Sequence, residues 1–120
     1  GTELLAMSEN STRTTDETSP EAEHIDSEDE FDRLLADEKR VLVDFYAEWC
    51  GPCNIMAPTI DEFAGETSAS VVKIDVEELP EIATRYDVKS VPTFIAFEDG
   101  EVSERLMGLQ EKATLAEAVE

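Results

Sequence analysis

Two cysteines, Cys50 and Cys53, stand two residues apart in the run Trp49-Cys50-Gly51-Pro52-Cys53, and the chain holds no others. They follow the apolar run Val41-Leu42-Val43-Asp44-Phe45-Tyr46 and precede a stretch of helical character. The first thiol therefore falls at a helix N-terminus, where unpaired backbone N–H groups and the helix dipole favour an anion. A thiolate is the reactive form of cysteine, so the pair reads as a thiol–disulfide exchange centre. A closed zinc site needs four ligands, and the chain adds only the lone His24, which sits in a charged N-terminal stretch. An iron–sulfur cluster lacks ligands for the same reason. A structural disulfide across so short a loop gains little from cross-linking. It stays open as an alternative, as does a metal shared between chains.

The elements that must position these thiols are set by composition and period. With 120 residues there is room for one domain and one core. No stretch approaches the ~20 apolar residues of a membrane span. No apolar segment with a basic flank opens the chain, so no secretory leader is read. Sparse cysteines used as a reactive pair suit a reducing compartment, and the expected location is cytoplasmic. Asp and Glu number 30 against 9 Lys and Arg, a net charge of −21. Such a chain repels nucleic acid and anionic membranes, so neither is an expected partner. Yet 41% of the residues are hydrophobic and regularly spaced, which points to a folded domain with an acidic coat. That coat suggests a salt-adapted, halophilic source; an acidic protein of an ordinary cell, recruited by basic partners, is the second reading.

Residues 1–23 are rich in Ser, Thr and Glu and read as a disordered tail, with 1–6 as a cloning scar ahead of Met7. The domain is placed at 24–120. His24-Ile25 is read as a short edge strand, and Ser27-x-x-Glu30 as a capping box opening a helix over 28–37. The spacing predicts strands at 41–46, 71–75, 93–97 and 101–107, the last two joined by the turn Asp99-Gly100. Helices are predicted at 51–65, kinked at Pro58 and stopped near Gly65, at 80–86, and at 111–119. The order β-α-β-α-β-α-β-β-α implies an α/β fold with a mixed sheet between helices.

At this point the chain resembles the thioredoxin family over roughly residues 24–120. The resemblance rests on Val43-Asp44-Phe45 before Ala47-Glu48-Trp49-Cys50-Gly51-Pro52-Cys53, then Ala57-Pro58, Lys73-Ile74-Asp75, Val91-Pro92-Thr93 and Gly108. It implies the thioredoxin fold, a central mixed sheet flanked by helices on both faces. It implies a protein-disulfide reductase, an electron carrier of cell redox homeostasis. Its partners would be a thioredoxin reductase and disulfide-containing client proteins, and its expected state is a monomer. Neither an organic cofactor nor a metal is expected. The Gly-Pro pair between the cysteines resembles the reducing members rather than isomerases or oxidases, which commonly carry histidine there.

The resemblance also assigns roles. Cys50 would be the nucleophile and Cys53 the resolving thiol, with Cys50–Cys53 as the redox-active disulfide. Asp44 would be the proton acceptor for Cys53, through water, and burial in its apolar strand is expected to raise its pKa. Lys73 would tune Asp44. Pro92, after Val91, would be cis and face the cysteines. Trp49, Gly51, Pro52, Val91, Pro92 and Gly108 would form an uncharged docking patch. Asn54 stands where many relatives have lysine, and Tyr46 where tryptophan is frequent. Two alternatives remain at this stage: an isomerase or oxidase of the same fold, and a non-catalytic interaction module.

Overall fold

The computed structural model describes residues 22–120. The elements, in chain order, are β1 (Glu23–His24), α1 (Glu28–Asp37), β2 (Arg40–Tyr46), α2 (Gly51–Glu66), β3 (Ser70–Asp75), α3 (Pro80–Arg85), β4 (Thr93–Glu98), β5 (Glu101–Met107) and α4 (Lys112–Val119). They form one five-stranded sheet in the order β1-β3-β2-β4-β5. β1 and β2 both run parallel to β3, whereas β4 runs antiparallel to β2 and to β5. The mixed sheet between two helical layers is the α/β architecture read from the pattern. The tail and scar read at the N-terminus lie outside the described residues as far as residue 21. Ala22 is already buried and Glu23 already pairs with Val72.

Alternation along β2 divides the core. Leu42 joins Phe94, Ala96 and Val71 under α2 and α4, where Met56, Ile60, Phe63, Leu115 and Val119 close the layer. Val41, Val43 and Phe45 point the other way, against Phe31 of α1 and Ile82 of α3, together with Val72, Ile74, Ile95 and Phe97. A strand buried on both faces has no polar side to show, hence its nearly unbroken apolar run.

Local signals fix the ends of the elements. Ser27 caps α1, its Oγ accepting from the Glu30 N–H at 3.1 Å. Glu30 reaches back to the N–H of Asp26 at 2.9 Å, one residue earlier than in the usual box. Asp99 and Gly100 both take positive φ, 53° and 83°, as a two-residue hairpin turn requires. Between Ala96 and Phe97 the β4–β5 register shifts. Ser103, passed over by the ladder, donates its hydroxyl to the Ala96 carbonyl at 3.1 Å.

Three helix ends differ from the sequence reading. α2 runs through both Pro58 and Gly65 to Glu66, and the Thr67 N–H closes it on the Phe63 carbonyl at 3.0 Å. The buried Phe63 carries the helix past a glycine that propensity would make its end. α3 stops at Arg85 with Tyr86 as its cap, and α4 starts at Lys112 with Glu111 as its cap.

One cation ties the helices of each layer. Arg85 of α3 meets Glu28 at 2.9 Å and Asp32 at 2.7 Å, both on α1. Lys112 of α4 meets Glu62 and Glu66 of α2, each at 3.0 Å. These pairs are partly exposed and add little individually.

Phe31 is fully buried and meets the rings of Tyr86 and Phe97 edge-on, at centroid distances of 6.0 and 5.8 Å. Phe31→Ala is expected to lower the unfolding free energy by about 3–5 kcal/mol, read from urea melts at one fixed KCl concentration.

Candidate active site

The site sits where β2, the middle strand of the sheet, gives way to α2. The chain turns at Ala47, whose carbonyl accepts from the Cys50 N–H at 3.2 Å. Cys50 is the N-cap of α2, in extended conformation, with Gly51-Pro52 in the first turn. Proline fits there because it lacks the N–H that a first turn would leave unpaired. The Cys53 N–H points at Cys50 Sγ from 3.1 Å, so the sulfur fills the place of a capping oxygen. Cys50 and Cys53 are joined as a disulfide, their Cα atoms 5.2 Å apart. Charge arriving on Cys50 Sγ when this bond is reduced would meet the N–H and the helix dipole.

Cys50 is only 3% exposed and Cys53 5%, so the leading sulfur is less open than its place at the start of a helix suggests. Tyr46, Val76 and Val91 pack around the pair and Ala47. The Val91–Pro92 peptide bond is cis, and the Val91 carbonyl oxygen stands 3.7 Å from Cys50 Sγ. Gly108, at φ +81°, sends its N–H to the Pro92 carbonyl at 2.9 Å. That conformation suits glycine and brings the end of β5 against the proline loop. Trp49 is 69% exposed, so it is not a core residue. Its indole Nε1–H donates to Glu77 at 2.8 Å. Beside it opens a groove of about 340 Å³ lined by Trp49, Val76, Val88, Lys89, Ser90 and Val91. Gly51 and Pro52 lie exposed at the helix start. Asn54 donates to the Glu48 carbonyl at 3.4 Å.

Asp44 lies beneath this surface, 2% exposed, on the sheet face that α2 covers. Its Oδ1 is buried without a hydrogen-bond partner in the protein. Burial pushes its carboxyl up to about 7; the Lys73 ammonium pulls it down and the Asp61 carboxylate adds to the rise. Lys73 is the register partner of Asp44 on β3, so both side chains leave the sheet on the same face. A buried acid whose pKa lies near 7 changes charge near neutral pH.

Three neighbours were missed in the sequence. Glu77, one acidic residue among thirty, holds Trp49. Asp61 acts on Asp44, and its carboxylate also accepts from the Ala22 N–H at 3.2 Å. Two turns along an amphipathic helix give no sign of either contact. His24, exposed on the edge strand, brings its Nδ1 to 3.1 Å from the Tyr46 hydroxyl. Among the described residues no cluster of three or more His, Cys, Asp or Glu could hold a metal ion, and no helix is long and apolar enough to cross a membrane.

Asp44 also makes stability depend on pH. Below about pH 4 both folded and unfolded chains hold its proton. Between there and 7 the folded state keeps a proton that the unfolded state releases, so its contribution to stability falls as pH rises. Asp44→Asn removes this slope. Its stability relative to the parent, from urea melts, is expected to improve by about 2–3 kcal/mol between pH 5 and pH 8. A difference that does not change with pH would refute the buried-acid reading.

The thioredoxin family model matches residues 22–120. The chain is 42% identical over 95 residues to a thioredoxin of Mycoplasmoides gallisepticum, covering 78% of this chain and 95% of that one. It is 47% identical over 81 residues to a thioredoxin of Staphylococcus saprophyticus, covering 66% and 78%. Among solved structures, a mutant thioredoxin from Halobacterium salinarum superposes with a TM-score of 0.78 at 41% identity, over 84% of this chain and 90% of that one.

Proposed function

This chain belongs to the thioredoxin family, as a protein-disulfide oxidoreductase working through Cys50 and Cys53, and we propose the following roles for its residues. The observation that carries the reading is the Cys50 sulfur at the N-cap of α2, receiving the Cys53 N–H. In the reduced protein the Cys50 thiolate attacks one sulfur of a client disulfide. The client S–S bond breaks, a Cys50–client disulfide forms, and the departing client sulfur leaves as a thiolate that takes up a proton. Asp44 accepts the proton of the Cys53 thiol, and the Cys53 thiolate attacks Cys50 Sγ. The second client thiolate is released and Cys50–Cys53 closes, two electrons having passed to the client. A thioredoxin reductase restores the dithiol.

Trp49, Gly51, Pro52, Val91, Pro92 and Gly108 form the docking patch. Backbone groups beside the Val91–Pro92 bond are placed to pair with an extended client segment. Lys73 tunes Asp44 from the neighbouring strand. The domain acts as a monomer in the cytoplasm. Reduction is favoured over isomerase or oxidase chemistry by the Gly51-Pro52 pair. The intact cysteine couple speaks against a non-catalytic module.

Cys53→Ser is expected to accumulate a covalent client adduct through Cys50, and Cys50→Ser to accumulate none, on non-reducing gels with an oxidised protein substrate. If Cys50→Ser trapped the adduct instead, the order of the two thiols would be reversed.

The acidic coat, with a relative from a halophilic archaeon, supports a salt-adapted protein. Mutual repulsion of a net −21 weakens the compact state where screening is poor. The urea midpoint is expected to rise from dilute buffer to molar KCl; a midpoint indifferent to salt counts against this reading.

A further inference from the structure

A row of polar side chains crosses the sheet on the face beneath α2. His24 on β1 is the register partner of Lys73 on β3, and Lys73 is the partner of Asp44 on β2. Tyr46, two residues beyond Asp44 on the same strand, projects to the same face. Its ring does not simply fill space. The Lys73 ammonium stands 4.9 Å from the ring centroid, within cation–π range. The His24 ring meets it edge-on at 5.8 Å, and His24 Nδ1 lies 3.1 Å from the phenol oxygen. With the imidazole proton on Nε2, the phenol donates and Nδ1 accepts.

Lysine has a long, flexible stem, and an ammonium without a partner moves readily into solvent. Lys73 forms no ion pair with any described residue. What remains to orient it is the Tyr46 face. We propose that Tyr46 is a positioning residue: its ring, held by His24, keeps the Lys73 ammonium turned toward Asp44.

Several charged groups face this assembly. Tyr46 is faced by Asp75 on β3, Glu78 beyond β3, Glu48 in the following turn, and Asp44 on its own strand. Burial first, then these carboxylates, push its hydroxyl up to about 12, so it stays a neutral donor through the working range. Asp44 is faced by Lys73 and by Asp61 of α2. Tyr46 also packs on the cluster that contains both cysteines.

The functional consequence rests on the reading of Asp44 as the base for Cys53; the positioning itself does not. Two effects of removing the ring have opposite signs. Freeing Lys73 takes a cation from Asp44 and raises its titration midpoint. Merely opening the site to water relieves desolvation and lowers it. The experiment follows the Asp44 carboxyl by carbon NMR across pH in the oxidised protein, for the parent, Tyr46→Leu, Tyr46→Phe, Lys73→Met and the double variant Tyr46→Leu/Lys73→Met. The expected result is an upward shift of about half a pH unit or more in Tyr46→Leu. Tyr46→Phe, which keeps the ring, should restore most of it. Tyr46→Leu should add no upward shift in the Lys73→Met background, because the effect passes through Lys73. An unchanged or lowered midpoint in folded Tyr46→Leu, or an equal rise without Lys73, overturns the proposal. If Tyr46→Leu does not fold, His24→Ala at the exposed edge decides by the same sign.

The pH profile of release from the Cys50–client disulfide, measured in a single turnover, separates the two readings. A half-unit rise in the Asp44 midpoint slows release about threefold on the acidic side if Asp44 is the base. A shifted carboxyl with an unshifted release profile rejects the base and leaves the positioning intact.

Discussion

A sulfur atom does at the start of α2 what a serine or aspartate oxygen does at the start of other helices. The cap of α1, Ser27, spends its oxygen on an N–H at 3.1 Å, and Cys50 spends its sulfur in the same way at the same distance. The difference is that the sulfur can change its covalent state. Helix formation and sulfur chemistry thus draw on one interaction. The central strand must be buried on both faces to aim the turn, and the turn must begin the helix at Cys50 for the N–H groups to converge there. Gly108 pairs with Pro92, and the Val91 carbonyl of the same loop stands 3.7 Å from the sulfur.

Behind that cap lies a group that the fold holds at a disadvantage. Asp44 stands in a layer otherwise built from Leu42, Phe94 and Ala96, with one oxygen lacking any protein partner. An apolar residue there would suit the core better. The imbalance between burial, which favours the neutral acid, and Lys73, which favours the carboxylate, leaves the group able to change charge near neutrality. The register holds both partners opposite each other on adjacent strands.

Much of this was legible in the residues. Apolar runs and turn pairs gave each element, because a strand buried on both sides and an Asp-Gly turn each have few sequence solutions. The cysteine pair, Asp44, Lys73 and Pro92 were visible as types at particular spacings. What stayed hidden were relations across the sheet. His24 meets Lys73 only because two parallel strands, separated by a whole α-β-α excursion, settle in one register. Glu77 was one acidic residue among thirty until its carboxylate was found on the Trp49 indole. Gly65 misled because local propensity yields to a buried Phe63 nearby.

The two cations that bracket paired carboxylates, Arg85 across α1 and α3 and Lys112 across α2 and α4, act over about 3 Å. The mutual push of the remaining carboxylates acts over much longer distances. Dissolved ions discriminate between these ranges, since at 0.1 M they damp fields beyond roughly 10 Å and leave close contacts largely intact. A moderately saline solvent therefore silences the many distant antagonists while sparing the few adjacent clasps. Each helical layer keeps its own staple after the crowd around it has gone quiet.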